Sequence, residues 1–254
     1  MYNSRHNESS LRGQDMSIKT LIRKVPYIVS VKHYLWRKVI NRHDKTSFLL
    51  QLISSARILD IGCGNNSPYY TKTMLPTCIY TGLDIENYNQ SLPNLADNYI
   101  VTTAELFPDS IYKFNEAFDA VLSTHNIEHC NERSLTIDAM LKAVSPGGQI
   151  YMTFPCEQSV VFPSRPGTLN YYDDPTHTGL PPDFDELIQT IKSHGFEIEF
   201  AAKNYKPIIF WITGFINESK SRLENKVFPS TWAYYGFESV IQARKVHAHT
   251  LPQS

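Results

Sequence analysis

The stretch ARILDIGCGNNSPYY, Ala56–Tyr70, decides the fold. It opens as a short apolar run that ends in an acid, Asp60. Two glycines follow at alternate positions, Gly62 and Gly64, and a Ser-Pro pair then starts a helical pattern. A near-continuous apolar run fits a strand buried on both faces. Glycines permit a tight turn and a close backbone approach. A helix beginning near Ser67, capped by its hydroxyl with Pro68 at the first position, offers free N–H groups to a ligand. A strand, a glycine turn and a helix in this order hold a nucleotide.

Outward from it, strands and helices alternate. CIYTGLDI (78–85), NYIVTTA (98–104), AFDAVLST (117–124), QIYMTF (149–154), FEIEFAA (196–202) and FESVIQARK (237–245) read as further strands. Helices are expected from Asn131, as N-cap, to Val144, over 183–194 and over 207–225. In the second of these, Phe184, Leu187, Ile188 and Ile191 share one face and Gly195 ends the helix. The SPGG of 145–148 is expected to break the chain before the fifth strand. The fold class is therefore α/β: a Rossmann-like, seven-stranded, mostly parallel sheet with helices on both faces. Ligands of such sheets sit beyond the carboxyl ends of the strands.

Composition narrows the classes. A chain of 254 residues with 42% apolar residues and a net charge of −1 has a sizeable core and no overall nucleic-acid signature. Four scattered cysteines, without a CxxC pair, point away from zinc and disulfides and toward a reducing, cytoplasmic setting. The longest apolar stretch, IIFWITGFI at 208–216, is too short to span a bilayer. Charge is uneven. Residues 1–45 hold ten Lys/Arg against three acids, a net +7, and the remainder carries −8. Residues 17–52 have a helical pattern interrupted at Pro26. We read 1–45 as a basic helical arm and 46–254 as the main domain. Such an arm has three uses: docking on the acidic body, touching an anionic membrane, or attracting a phosphorylated acceptor. Residues 155–182, with six prolines, form a long loop of the kind that carries function.

The ligand of the glycine turn follows from its charges. A dinucleotide site prefers G-x-G-x-x-G, but Ser67 stands at the third glycine, and an acid just before the turn sits poorly beside a pyrophosphate. Asp60 suits a cationic group, and S-adenosylmethionine carries an ammonium and a sulfonium. ILDIGCG, YTGLDI, FDAVLSTHNIEH and SPGGQIYMTFP resemble, in order and spacing, the successive motifs of class I S-adenosylmethionine-dependent methyltransferases. The resemblance covers roughly residues 50–200, and the last strand matches that family's final antiparallel strand. The Glu-His pair after the fourth strand is similar to the small-molecule branch that includes ubiquinone-biosynthesis enzymes. One departure is Asn66, where the family often has a third glycine; Asn tolerates unusual backbone angles.

The resemblance implies these roles. Asp60 sits near the methionine ammonium. Gly62, Cys63 and Gly64 give backbone contacts. Asp84 accepts both ribose hydroxyls. Ile85 packs on adenine, Ala104 and Glu105 lie at its edge, and Thr124 passes the methionine part. His129 is the first candidate base, with Glu128 as its orienter or charge partner, and His177 in the long loop, beside Asp173 and Asp174, is the second. Some relatives hold a divalent ion through an acid-x-x-Glu-His cluster; here His125 replaces the acid, and no metal is expected. The expected activity is O-methylation of a small molecule or glycan. The competing classes are a non-catalytic S-adenosylmethionine-binding subunit, a protein or nucleic-acid methyltransferase, and an NAD-dependent dehydrogenase.

Overall fold

The computed structural model describes residues 43–247. The basic arm and the Pro26 interruption therefore lie outside the described residues, except for Arg42's neighbours His43 to Lys45. Seven strands form one sheet: β1 (Arg57–Ile61), β2 (Ile79–Asp84), β3 (Asn98–Val101), β4 (Phe118–Thr124), β5 (Val144–Pro155), β6 (Phe196–Ala202) and β7 (Glu238–Lys245). Their order is β3-β2-β1-β4-β5-β7-β6. β1 through β5 pair in parallel, and β7 runs antiparallel to both β5 and β6. The expected sheet and its antiparallel last strand are both present.

Burial on two faces explains why β1 and β4 are apolar at consecutive positions. Leu59, Ile61 and Val121 belong to one core, while Ile58, Ala120 and Leu122 belong to the other. The first core is closed by α3 (Phe107–Tyr112), α4 (Arg133–Ala143) and α5 (Phe184–Ser193). The second is closed by α1 (Lys45–Leu49), through Phe48 and Leu49, and by Leu75 at the end of α2 (Ser67–Met74). Each such side chain contributes about 1.5–3 kcal/mol of burial. The sheet order reverses between β1 and β4, which opens a crevice at their carboxyl ends.

Several boundaries differ from the sequence reading. No helix joins β2 to β3; residues 85–97 fold back on the glycine turn, with Asn89 Nδ2 donating to Asn65 Oδ1 and Leu92 N–H to Asn66 Oδ1. Ser67 is the first residue of α2 rather than its cap. Asn66 takes the cap position at φ 59°, and the Ser67 hydroxyl turns to Asp60. Asn131 does not cap α4, which starts two residues later behind Glu132. β5 starts at Val144 and runs through the SPGG segment, because Val144 already pairs with Phe118. α5 keeps its expected limits, with Asp183 Oδ1 accepting from Glu186 N–H at 2.9 Å. The 207–225 helix is α6 (Ile208–Leu223), and a short α7 (Thr231–Tyr235) follows it.

The long loop 155–182 is ordered by local bonds. Asp173 Oδ2 accepts from the N–H groups of Leu169 and Asn170, and the Asn170 side chain accepts from Tyr172 N–H. Arg133 ties the loop back to the β4 tip, donating to the carbonyls of Ile127, Thr178 and Leu180 at 2.9–3.0 Å. Thr178 N–H donates to Glu128 O. Among the described residues, no helix is long and apolar enough to cross a membrane.

Candidate active site

A cavity of about 550 Å³ lies over the β1–β4 reversal. Gly62, Gly64, Asp84, Ile85, Ala104, Thr124, His125, Asn126 and His129 line it, together with Tyr88, Phe107 and Thr176. Six of the nine residues that the resemblance assigned to the cofactor thus line one cavity: Gly62, Gly64, Asp84, Ile85, Ala104 and Thr124; Asp60, Cys63 and Glu105 are not on its wall. The glycines are steric requirements. Gly62 has φ +70°, and a Cβ there would overlap the Asn126 side chain. A Cβ on Gly64 would stand 2.8 Å from the Tyr88 ring. The two asparagines after the turn, Asn65 and Asn66, both take positive φ (55° and 59°), so Asn66 fills the third-glycine position without a break in the turn.

Asp84 ends β2 at the cavity wall and is 8% exposed. Its Oδ1 accepts from Ile85 N–H at 2.8 Å. Burial raises its pKa, against the lowering effect of the N–H groups of Ile85, Glu86 and Gly64. Desolvated acceptor oxygens of this kind gain by taking hydroxyl donors.

Asp60 is held differently from expectation. Its Oδ2 accepts from Lys45 Nζ (2.7 Å), Tyr80 OH (2.7 Å) and Ser67 Oγ (2.5 Å), and the group is buried behind the lining. Its Oδ1 is buried with no hydrogen-bond partner, an acceptor left open for a donor. Lys45 and Tyr80 are partners of Asp60 that the sequence reading missed. Tyr80 carried a faint signal as an inward position of β2; Lys45 carried none, since only the fold brings it 15 residues along the chain to Asp60.

Cys63 is buried between the two glycines and is not on the cavity wall; its carbonyl accepts from Gln90 Nε2 at 2.9 Å. Its thiol is buried against Gly82 and kept protonated by burial. Glu105 stands exposed and off the cavity wall; its own backbone N–H and Thr103 hold its carboxyl below the usual range.

The β4 tip concentrates the titratable groups. His125 adopts φ 48°, and its ring lies between two carboxylates: Nδ1 is 3.2 Å from Glu128 Oε1 and Nε2 is 3.0 Å from Glu238 Oε1. Burial disfavours the cation, but the two carboxylates outweigh it and His125 is pushed up to about 10. His125 is therefore an imidazolium at neutral pH, with both N–H groups spent. Glu128 serves His125 rather than His129, and its second oxygen, Oε2, is buried without a partner.

His129 is oriented by the long loop. Its Nδ1 is 2.9 Å from Thr176 Oγ1, which lies 2.6 Å from Asp174 Oδ1. The carboxylate can only accept, so the single hydroxyl proton goes to Asp174. The hydroxyl oxygen then accepts from Nδ1–H of His129. This chain leaves Nε2 of His129 as the free lone pair. His177 is fixed the same way: its Nδ1 donates to Tyr171 O at 2.6 Å, its ring stacks on Tyr171, and burial holds its pKa down. The two imidazoles lie 4.8 Å apart. Glu128, His129 and His177 each bring one ligand atom within 4.8 Å of the others, so this trio, and not the His125-x-x-Glu128-His129 spacing, has the geometry to hold an ion.

Comparison with known proteins identifies the family and the fold. Residues 31–200 match the family described as "Methyltransferase domain". The chain is 26% identical over 125 residues to the "Ubiquinone biosynthesis O-methyltransferase" of Bartonella tribocorum, pairing 47% of this chain with 49% of that one. It is 27% identical over 129 residues to a "tRNA (carboxymethyluridine(34)-5-O)-methyltransferase" of Arabidopsis thaliana, covering 50% of this chain and 30% of that one. The chain thus spans about half or less of the length of these curated relatives. The fold is shared with an S-adenosylmethionine dependent methyltransferase from Mesorhizobium loti, at a TM-score of 0.53 and 15% identity over 79% of this chain and 97% of that one. With a family match across more than half of its length, and a seven-stranded sheet whose cavity opens at the β1–β4 reversal, the chain belongs to the methyltransferase-domain family, among the class I S-adenosylmethionine-dependent methyltransferases.

Proposed function

We propose that this protein transfers a methyl group from S-adenosylmethionine to an oxygen of a small-molecule or glycan acceptor, with His129 taking the hydroxyl proton. The observation that carries this reading is the His129–Thr176–Asp174 chain, which leaves one imidazole lone pair free at the cavity wall.

The cavity fits the cofactor. Asp84 offers a desolvated carboxylate to a ribose diol and Ile85 a half-exposed apolar face to adenine, while Asp60, behind the wall, keeps Oδ1 unpartnered toward an ammonium. Ala104 lines the adenine side; Glu105 would take part only by leaving its present contacts. Gly62, Cys63 and Gly64 bring backbone to the methionine end, and Thr124 passes it. When bound, the cofactor supplies a methyl carbon on a sulfonium, already activated toward displacement. The protein's task is to align the acceptor, exclude water and remove one proton. His129 Nε2 accepts that proton, and Asp174 stabilises the resulting imidazolium through Thr176. His177, neutral and 4.8 Å away, is the second acceptor for it. His125, fixed as a cation, keeps Glu128 and Glu238 charge-compensated and shapes the wall.

The test uses turnover to S-adenosylhomocysteine against a panel of phenols, catechols and sugar hydroxyls. His129→Ala is expected to lower kcat by about 10²–10⁴ and to leave S-adenosylmethionine affinity within a few-fold. Asp174→Asn should lower kcat and shift its acid limb, as a positioning residue. Equal loss of cofactor binding in His129→Ala would make the residue structural. Chelator should leave turnover unchanged; a loss restored by one divalent metal would reassign Glu128, His129 and His177 as ligands. Cofactor binding without turnover on any acceptor favours a binding subunit. A macromolecular acceptor is the second reading, since one curated relative acts, by its name, on tRNA. The acidic charge of the chain beyond residue 45 opposes binding to a phosphate backbone.

A further inference from the structure

The strap that leaves β2 is fastened to the glycine turn residue by residue. Asn65 N–H donates to Tyr88 O at 3.0 Å, and Asn89 Nδ2 donates to Asn65 Oδ1 at 2.8 Å. Gln90 Nε2 donates to Cys63 O at 2.9 Å. Asn66 completes the clasp: its Nδ2 donates to Ser91 Oγ at 3.1 Å, and its Oδ1 accepts from Leu92 N–H at 2.8 Å. Asn65, Asn66 and Asn89 all take positive φ within it. Gly64, between the bonded residues, meets the Tyr88 side chain itself, so closely that a Cβ would stand 2.8 Å from the ring. The clasp fixes the backbone of Tyr88 and of the residues after it. It leaves the Tyr88 ring 52% exposed on the wall of the cofactor cavity, beside Gly64, Asp84 and Ile85.

We infer that Tyr88 is a cofactor-binding residue: its ring covers the nucleoside half of S-adenosylmethionine, and the clasp of residues 88–92 holds the ring in place for it. Position is the first ground. The strap leaves β2 at Asp84 and Ile85 and returns to Gly64 by Tyr88, so the ring stands between the β2 tip and the turn. The ribose, which joins adenine to the methionine end, lies between the same two points. Preorganisation is the second. A ring already held against Gly64 need not be ordered when the ligand arrives, so little of its contact is lost to entropy. Solvation is the third. Covering the exposed half of the ring removes apolar surface from water. Asn89 touches no ligand in this account; it positions the ring through Asn65. The inference rests on the ribose lying at Asp84 and is independent of the acceptor and base assigned above.

The test is calorimetric titration of the full chain with S-adenosylhomocysteine and with 5′-methylthioadenosine, which keeps the nucleoside and lacks the amino-acid end. Thermal melts establish that each variant is folded. Tyr88→Ala is expected to weaken both ligands by the same factor, about tenfold, and Tyr88→Phe to bind both within about twofold of wild type. Asn89→Ala should weaken both by less. The double variant Tyr88→Ala/Asn89→Ala should bind no worse than Tyr88→Ala alone, because Asn89 acts through the ring. A double variant weaker than Tyr88→Ala would overturn that positioning role. Unchanged affinity for S-adenosylhomocysteine in a normally melting Tyr88→Ala would overturn the proposal. So would a loss confined to S-adenosylhomocysteine, which places the ring at the amino-acid end, or a wild type that takes S-adenosylhomocysteine but not 5′-methylthioadenosine. Asp84→Ala, run beside them, separates the two assignments. Loss of affinity there with none in Tyr88→Ala overturns this inference and leaves the ribose at Asp84. Normal binding there with the shared loss in Tyr88→Ala supports Tyr88 and removes Asp84.

Discussion

Asp84→Ala is expected to weaken S-adenosylmethionine binding by at least about a hundredfold, since two hydrogen bonds to a charged acceptor contribute roughly 1.5–3 kcal/mol each. The carboxylate ends β2 at the cavity wall and is nearly buried. Its desolvation is already incurred in the free protein, as the raised pKa indicates. Removing it costs the fold little, because a buried carboxylate stabilises only when paired. Asp84→Asn, which keeps one acceptor, should fall between wild type and Ala. Titration calorimetry with a thermal melt of the same samples separates the two effects. Affinity of Asp84→Ala within threefold of wild type, on a normally melting protein, would remove Asp84 from the site.

The second large effect concerns stability. Arg165, 6% exposed, leaves the long loop and makes two parallel bonds of 2.9 Å to Glu218 of α6 and a third of 2.7 Å to Ser221. Tyr235 OH of α7 and Arg222 Nε also reach Glu218 Oε1. Breaking a buried pair by removing one partner costs about 3–5 kcal/mol. Arg222 still compensates Glu218, so Arg165→Ala should sit near the lower end. For a domain of this size about 3 kcal/mol corresponds to a fall in Tm of roughly 6–12 °C. Burial alone would raise the Glu218 pKa, but Arg165, Tyr235 and Arg222 bring it down to about 2. A folded pKa below the unfolded one means stability that is present above the unfolded value, about 4.3, and lost as pH falls toward about 2. Wild type should therefore lose Tm steeply over that window, and Arg165→Ala should lose less there. An unchanged Tm and the same acid slope in the variant would show that the pair is not what joins the loop to α6.

The site was legible in the sequence where a strand end fixed it. Asp84, Ile85, Thr124 and His125 fall at the carboxyl ends of β2 and β4 because a parallel sheet presents those ends on one side. The glycine turn was legible for the same reason, and Asn65 and Asn66 take the left-handed angles that their side chains tolerate. What escaped depends on contacts distant along the chain. Lys45 meets Asp60, and Glu238 meets His125 across 113 residues. No periodicity encodes either pair. The segment between β2 and β3 also escaped, since its asparagines and serine bond back to the glycine turn instead of winding a helix. Glu128 next to His129 suggested a charge pair, but neighbours on a 3₁₀ turn point apart. His125, three residues earlier, meets Glu128, and His129 turns to Thr176.

The measurement that bears most directly on the central claim is calorimetric titration of the full chain with S-adenosylmethionine, S-adenosylhomocysteine and NAD. One-to-one, saturable binding of both sulfur nucleosides and none of NAD is the predicted result, and it should disappear in Asp84→Ala. Absence of binding by either sulfur nucleoside to a folded protein, or saturable binding of NAD in their place, would contradict it.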